Sequence, residues 1–300
     1  MTDPSPAAYR GRFAPSPTGE LHLGSLVAAL GSWLYARHAG GEWQVRIEDL
    51  DPPREVSGAA DRQLAALNAL GLKADGVVLR QSARHAQYQA AVDLLLKRGL
   101  AFECHCSRRD LAEVGGIHRG CVAHGRSRRT PAIRLRVADA THVTFDDGLR
   151  GLQSQDVADK VGDFVLRRAD GYWAYQLAVV VDDAAQGITE VVRGSDLLDS
   201  TPRQILLQRA LGVDTPRYVH LPLVVGPNGR KLSKSDAAHP FDPAQPLRAL
   251  QAAWHVLGQM ELPAPLPSQP AQWLQAACAA FDPALIPVTN SIAGSTDTRS

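Results

Sequence analysis

The sequence predicts an α/β fold: a parallel sheet covered on both faces by helices, with an inserted module and a small helical C-terminal region. Three observations support this. Strand-like and helical periods alternate from residue 10 to residue 98; the texture changes at Phe102 to Pro131, where glycine, arginine, histidine and cysteine collect; and helical periods return at Pro246 to Phe281. In such a fold ligands gather at the carboxyl ends of the strands.

The elements follow in order. A short entry strand lies around Arg12 to Ala14. Leu21 to Arg37 then places Leu23, Leu26, Val27, Leu30, Trp33 and Leu34 at the spacing of a helix that buries one face. Gly40-Gly41 breaks the chain, Trp43 to Ile47 alternates as a strand, and Ala59 to Leu70 is helical until Gly71. Ala86 to Arg98 is a further amphipathic helix. Ile133 to Val137, Val143 to Phe145 and Phe164 to Arg168 read as short strands, and the apolar run Tyr175 to Val181 suits a buried strand. Pro202 opens a helix from Thr201 to Leu211, closed by Gly212. Pro246 to Met260 and Ala271 to Phe281 are helical around the proline-rich Leu262 to Pro270, and the small, polar tail from Asn290 is expected to be disordered.

With 45% apolar and 21% charged residues in 300, disorder as the main state is excluded. Lysine and arginine number 32 against 31 acidic residues, so the overall charge does not argue for a nucleic-acid partner and any RNA surface must be local. One local bias exists, the arginines at 108, 109, 119, 126, 128, 129, 134 and 136, which read either as an RNA-facing surface or as a solvated edge strand. Met1 to Pro6 has no targeting character, and no run approaches the ~20 apolar residues that span a bilayer, so no membrane partner and a cytoplasmic location are expected.

Two segments carry phosphate chemistry. In Arg12-Phe-Ala-Pro-Ser-Pro-Thr-Gly-Glu-Leu-His-Leu-Gly-Ser25, Gly24 allows close backbone approach, His22 donates to phosphate oxygens and the following helix N-terminus favours anions. In Lys231-Leu-Ser-Lys-Ser235, Lys231 and Lys234 are donors of the same kind, behind a turn at Gly226 to Gly229. A third cluster, Cys104-His-Cys106 and His118-Arg-Gly-Cys121, offers a tetrahedral set for one structural Zn2+, with His105 and His124 as competitors of His118. Four cysteines here do not read as a disulfide framework, and Cys278 on an apolar helix face reads as core.

The first two segments, in this order around a parallel α/β pattern, resemble the ATP signatures of class I aminoacyl-tRNA synthetases. Together with Arg46-Ile-Glu-Asp-Leu-Asp51, Arg54 and Val192 to Arg203, they resemble the glutamate branch of that family. The resemblance implies a Rossmann-like catalytic domain in two halves (1–98 and 171–212), a zinc-bearing acceptor-type insertion (99–170) and a lysine-motif loop with a helical C-terminal region (213–289). It implies His22, Lys231 and Lys234 as catalytic residues and His22, Gly24, Ser25 and Lys234 at ATP, with Mg2+ accompanying the nucleotide. A glutamate ligand has two carboxylates and one ammonium, which suits planar cations at Arg12 and Arg193 and a fixed anion at Glu48. Matching positions add Ala14, Ser16 and Tyr175.

Only 65 residues follow Ser235, too few for the large anticodon-binding region of a full glutamyl-tRNA synthetase. The pattern is similar to truncated paralogues that load glutamate, activated without tRNA, onto queuosine in the anticodon stem-loop of tRNA(Asp). Those proteins carry Gly-Gly-Ile-Tyr between their zinc-binding cysteines, where this chain has Gly115-Gly-Ile-His118 with a shorter gap to Cys121. The arginine-rich insertion is then the candidate contact to the RNA stem. The alternatives are an atypical enzyme that charges tRNA(Glu) and a non-catalytic, zinc-bearing RNA-binding paralogue.

Overall fold

The computed structural model describes residues 8–123, 130–225, 242–289 and 291–293. Its first sheet is parallel, with β1 (Arg10–Phe13) beside β2 (Glu42–Ile47) and β2 beside β3 (Leu79–Arg80). Between these strands run α1 (Leu23–His38) and α2 (Ala59–Ala69), and α3 (His85–Lys97) follows. The periodicity located β1, β2 and the three helices to within two residues, while the two-residue β3 was not among the expected elements. Helix α1 ends where Gly40 takes φ +64°, a conformation that suits glycine, and its last turn carries Arg37 and His38, which complement the helix carboxyl end.

The inserted segment opens with β4 (Ala101–Cys104), α4 (Arg108–Ala112) and β5 (Ala132–Leu135), and continues with a hairpin of β6 (His142–Asp147) and β7 (Gly151–Asp156). Then come α5 (Val157–Lys160) and β8 (Phe164–Arg167). Strands β4, β5 and β8 form an antiparallel sheet with β5 in the middle. Arg134 is therefore on a central strand and only 8% exposed, which corrects the solvated-edge reading, whereas Arg136 projects over the Phe102 ring at 4.6 Å.

The remaining elements are α6 (Tyr175–Ala185), β9 (Glu190–Gly194), α7 (Thr201–Leu211), β10 (Arg217–Leu221), β11 (Leu223–Val225), α8 (Pro246–Val256), α9 (Pro270–Ala280) and β12 (Ser291–Ala293). A second sheet has the order β7-β6-β10-β9, so the hairpin, although it falls within 99–170, extends the sheet of β9 and β10. Strand β1 meets β9 through Thr189 N–H donating to the Arg10 carbonyl at 2.9 Å.

Two further expectations are corrected. Tyr175 to Val181 is the start of a helix, not a strand. A buried helix and a buried strand are both apolar all round over a short stretch, and here the run extends through Asp182 and Asp183 to Ala185, longer than a typical strand. Secondly, Ser291–Ala293 pairs in parallel with β11, so the chain is ordered past Asn290, while Asn290 itself and 294–300 lie outside the described residues.

The main core packs α1 against the sheets on one side and α8 and α9 on the other, with Leu30, Trp43, Leu221, Trp254 and Trp273 buried together. Gly31 on α1 is needed for this packing, because a Cβ there would lie 2.6 Å from Leu221 Cδ1. Another cluster joins α3, β5, β8, α6 and α7 around Tyr88, Leu135, Phe164 and Leu177, and so fixes the inserted sheet to the body. Among the described residues no helix is long and apolar enough to cross a membrane.

Candidate active site

A cleft of about 1110 Å³ opens between the carboxyl ends of β1, β2 and β9 and the inserted sheet. Arg12, Ala14, Ser16, Glu48, Tyr175 and Arg193, which the sequence places far apart, all line it, and Cys106, Ser107, Arg108 and Arg134 line its inserted side. The loop after β1 is pinned in place: Glu48 N–H donates to the Pro15 carbonyl at 3.0 Å, and Gln63 Nε2 donates to the Ser16 and Gly19 carbonyls at 3.1 and 2.7 Å.

His22 is the N-cap of α1, in an extended conformation, and its carbonyl accepts from Leu26 N–H at 2.9 Å. A Cβ on Gly24 would approach the His22 ring to 3.1 Å, so glycine lets the imidazole lie over the helix start. His22, Gly24 and Ser25 stand between Thr18 and Ala28, which line the cleft, but are not themselves part of its lining. Lys231 and Lys234, with the glycines before them, lie outside the described residues.

The cleft floor is an array of buried charges. Arg12 is 3% exposed and donates from Nε and Nη2 to the two oxygens of Asp183 at 3.1 and 3.3 Å. This leaves its Nη1 protons for a ligand. Arg46, fully buried, donates from Nη1 to Asp183 at 2.7 Å and to Gln186 Oε1 at 2.7 Å, and from Nη2 to Glu48 at 3.3 Å. Burial alone would raise the Asp183 carboxyl, but the two guanidiniums hold it below the usual carboxylate range. For Glu48 burial wins over Arg46 and Arg12, and the carboxyl is pushed up. Neighbouring Asp182 faces the other way, accepting from Gln81, Arg84 and the Tyr88 hydroxyl at 2.8, 2.5 and 2.8 Å. Tyr175 begins α6, and burial raises its phenol, which keeps it a neutral hydroxyl.

Arg193 is held by four hydrogen bonds: Nε to His220 Nε2 at 3.1 Å, Nη1 to Gln204 Oε1 at 2.8 Å, and Nη2 to Thr201 Oγ1 at 2.7 Å and the Leu197 carbonyl at 3.3 Å. His220 Nδ1 in turn lies 2.6 Å from Asp147 Oδ2, with both side chains fully buried. Burial lowers the His220 pKa despite Asp147, so the ring is neutral near pH 7.

Beyond the inserted wall of the cleft, the Sγ atoms of Cys104, Cys106 and Cys121 lie within 4.8 Å of one another. His118 Nε2 adjoins them, 3.2 Å from Cys104 Sγ, and His118 Nδ1 is 2.9 Å from Asp163 Oδ2. Backbone N–H groups of Cys106 and Val122 donate to Cys104 and Cys106 sulfurs at 3.4 and 3.2 Å. The three thiols form a group that could hold a metal ion, and His118 stands beside it at Cys104, outside the 4.8 Å group, with its far ring nitrogen at a carboxylate in the manner of a metal-bound imidazole. His105 has its Nδ1 buried without a hydrogen bond, and His124 lies outside the described residues.

Three residues that build the site, Asp183, Asp147 and His220, stood in none of the motifs read from sequence, and Arg46 stood in one only as the first residue of Arg46-Ile-Glu-Asp-Leu-Asp51. Their one legible signal was Asp182-Asp183 inside an otherwise apolar run, since buried carboxylates demand buried donors. Asp147, at the end of β6, and His220, in β10, gave no such signal.

The model for "tRNA synthetases class I (E and Q), catalytic domain" matches residues 8–242. The Glutamyl-Q tRNA(Asp) synthetase of Xanthomonas campestris pv. campestris (strain 8004) is 62% identical over 288 residues, 96% of each chain. That of Pseudomonas entomophila (strain L48) is 50% identical over 276 residues, 92% of this chain and 93% of its own. Among solved structures, a glutamate tRNA ligase of Elizabethkingia meningosepticum in complex with its amino acid superposes with a TM-score of 0.80 at 26% identity. That match covers 97% of this chain and 68% of the ligase.

Proposed function

The chain belongs to the class I tRNA synthetases (E and Q), and on that premise we propose that its cleft activates glutamate with ATP and transfers it to queuosine at the wobble position of tRNA(Asp). In the first step a glutamate α-carboxylate oxygen attacks the α-phosphorus of ATP and pyrophosphate leaves, without help from tRNA. In the second, a hydroxyl of the queuosine cyclopentenediol attacks the activated carbonyl and AMP leaves. Class I synthetases use ATP with Mg2+.

Each residue has a role in this reading. The Arg12 Nη1 edge and Arg193 receive the two carboxylates of glutamate, Glu48 receives its ammonium, and Ala14, Ser16 and Tyr175 complete the pocket. His22, Lys231 and Lys234 offset the negative charge that gathers on the attacked phosphorus, while Gly24 and Ser25 bring backbone amides at the start of α1 close to the phosphates. Residues 1–98 and 171–212 serve as the catalytic domain, 99–170 as the acceptor-side module and 213–289 as the lysine-motif and helical region. A structural Zn2+ held by Cys104, Cys106, Cys121 and His118 would cross-link the loop that borders the cleft. As its tRNA substrate is cytoplasmic, so is the enzyme.

The observation that carries the reading is the convergence of Arg12, Glu48, Tyr175 and Arg193 on one cleft, with both cations held in place by buried partners. Glutamate-dependent ATP–pyrophosphate exchange in the absence of RNA tests it. Exchange with glutamate and not with glutamine or aspartate is expected. Exchange that requires tRNA, or prefers another amino acid, would overturn the first step.

A further inference from the structure

Arginine only donates hydrogen bonds, so the 3.1 Å contact of Arg193 Nε to His220 Nε2 requires a lone pair on that ring nitrogen. The ring proton is then on Nδ1 and is donated to Asp147 Oδ2 at 2.6 Å. The other oxygen of Asp147 is committed to backbone, accepting from the N–H groups of Leu149, Arg150 and His220 at 3.1, 2.9 and 3.3 Å. A continuous chain thus runs from the turn of the β6–β7 hairpin to the wall of the cleft. It has no slack, since Asp147, His220 and Arg193 are 2%, 0% and 5% exposed. Tyr218 stacks on the His220 ring at 6.2 Å and lies under the Arg193 guanidinium at 5.4 Å, which closes the remaining side.

We propose that Asp147 and His220 are positioning residues for amino-acid recognition: they fix the tautomer that holds Arg193, so that its uncommitted Nη1 proton and its charge are presented to the ligand. This rests on the reading that Arg193 receives a carboxylate of glutamate. The hairpin is therefore part of the specificity apparatus, although neither residue lines the cleft.

Asp147→Asn is the discriminating variant. The three backbone amides hold the asparagine oxygen where Oδ1 was, so its NH2 faces His220 Nδ1 and drives the ring proton to Nε2. Two N–H groups then oppose each other at Arg193, with almost no change of shape. Measured by RNA-free ATP–pyrophosphate exchange on the full-length, metal-loaded protein, D147N is expected to raise the KM for glutamate about tenfold, the scale of one charge-assisted hydrogen bond. The KM for ATP and kcat should stay within about twofold of the parent. His220→Gln, whose amide oxygen can occupy the Nε2 position, should retain more glutamate affinity than His220→Asn, which cannot reach Arg193.

Arg193→Gln separates the two claims. If R193Q leaves the KM for glutamate unchanged, Arg193 does not bind the amino acid and the underlying reading fails. If R193Q raises it while D147N does not, or if D147N lowers thermal stability with an unchanged KM, the positioning role is overturned. Should D147N fail to fold, the comparison of H220Q with H220N decides, equal KM values contradicting the proposal.

Discussion

Asp183 pairs with two buried arginines, Arg12 and Arg46, and shares Arg46 with Glu48 and Gln186. Removing one partner from such a group leaves an uncompensated charge, so Asp183→Asn is expected to destabilise the fold by about 3–5 kcal/mol, read from urea denaturation. Because the folded pKa of Asp183 is depressed, its contribution is fully present above the ordinary carboxylate range and is lost only as pH falls through the depressed value. Glu48 behaves in the opposite sense. Its carboxyl is raised by burial, so the ionised form that would receive the glutamate ammonium is lost at a higher pH than for an ordinary glutamate. The KM for glutamate should therefore climb on acidification before ordinary carboxylates titrate, and Glu48→Gln should show a high KM with that limb absent. The residues proposed to touch substrate were legible as candidates because motifs carry them. Those that hold them were not, since Arg46 with Asp183 and His220 with Asp147 are joined only by folding across 137 and 73 positions.

Among the elements, α6 shows where local pattern runs out. Tyr175 to Val181 has the composition of a strand, and packing between α3, β8 and α7 makes it a helix, so that Asp182 and Asp183, adjacent in sequence, point to separate cation sets. The thiol cluster, in contrast, was legible in its cysteines, and folding adds what spacing could not, the tie from His118 to Asp163. Asp163 also accepts Val137 N–H at 2.7 Å, and its carbonyl accepts Arg134 Nη1 at 3.0 Å, which joins the cluster to the inserted sheet. Asp163→Ala should weaken zinc binding about 10–100-fold in competition with a chromophoric chelator, leaving one site per chain. Unchanged affinity would mean that His118 is not held as a ligand through this contact.

At the scale of the molecule, the proposed function makes α1 a link between nucleotide chemistry and stability: His22 stands at its start, and its body packs on the sheets and on α8 and α9. A bulky side chain at Gly31 would meet Leu221 on β10, next to His220, so Gly31→Val is expected to lower the thermal midpoint by several degrees in calorimetry. The parallel α/β body was readable because its alternation is local, while the joining of the β6–β7 hairpin to β10 depends on long-range pairing that no period records. In the proposed function the cleft between the parallel body and the inserted module takes the amino acid, and the modified anticodon is the acceptor. The most direct test is transfer of labelled glutamate to tRNA(Asp) with queuosine, to tRNA(Asp) lacking it, and to tRNA(Glu). Label on the queuosine-containing tRNA(Asp) alone is the predicted result; label on tRNA(Glu), or on tRNA(Asp) regardless of queuosine, would contradict the account.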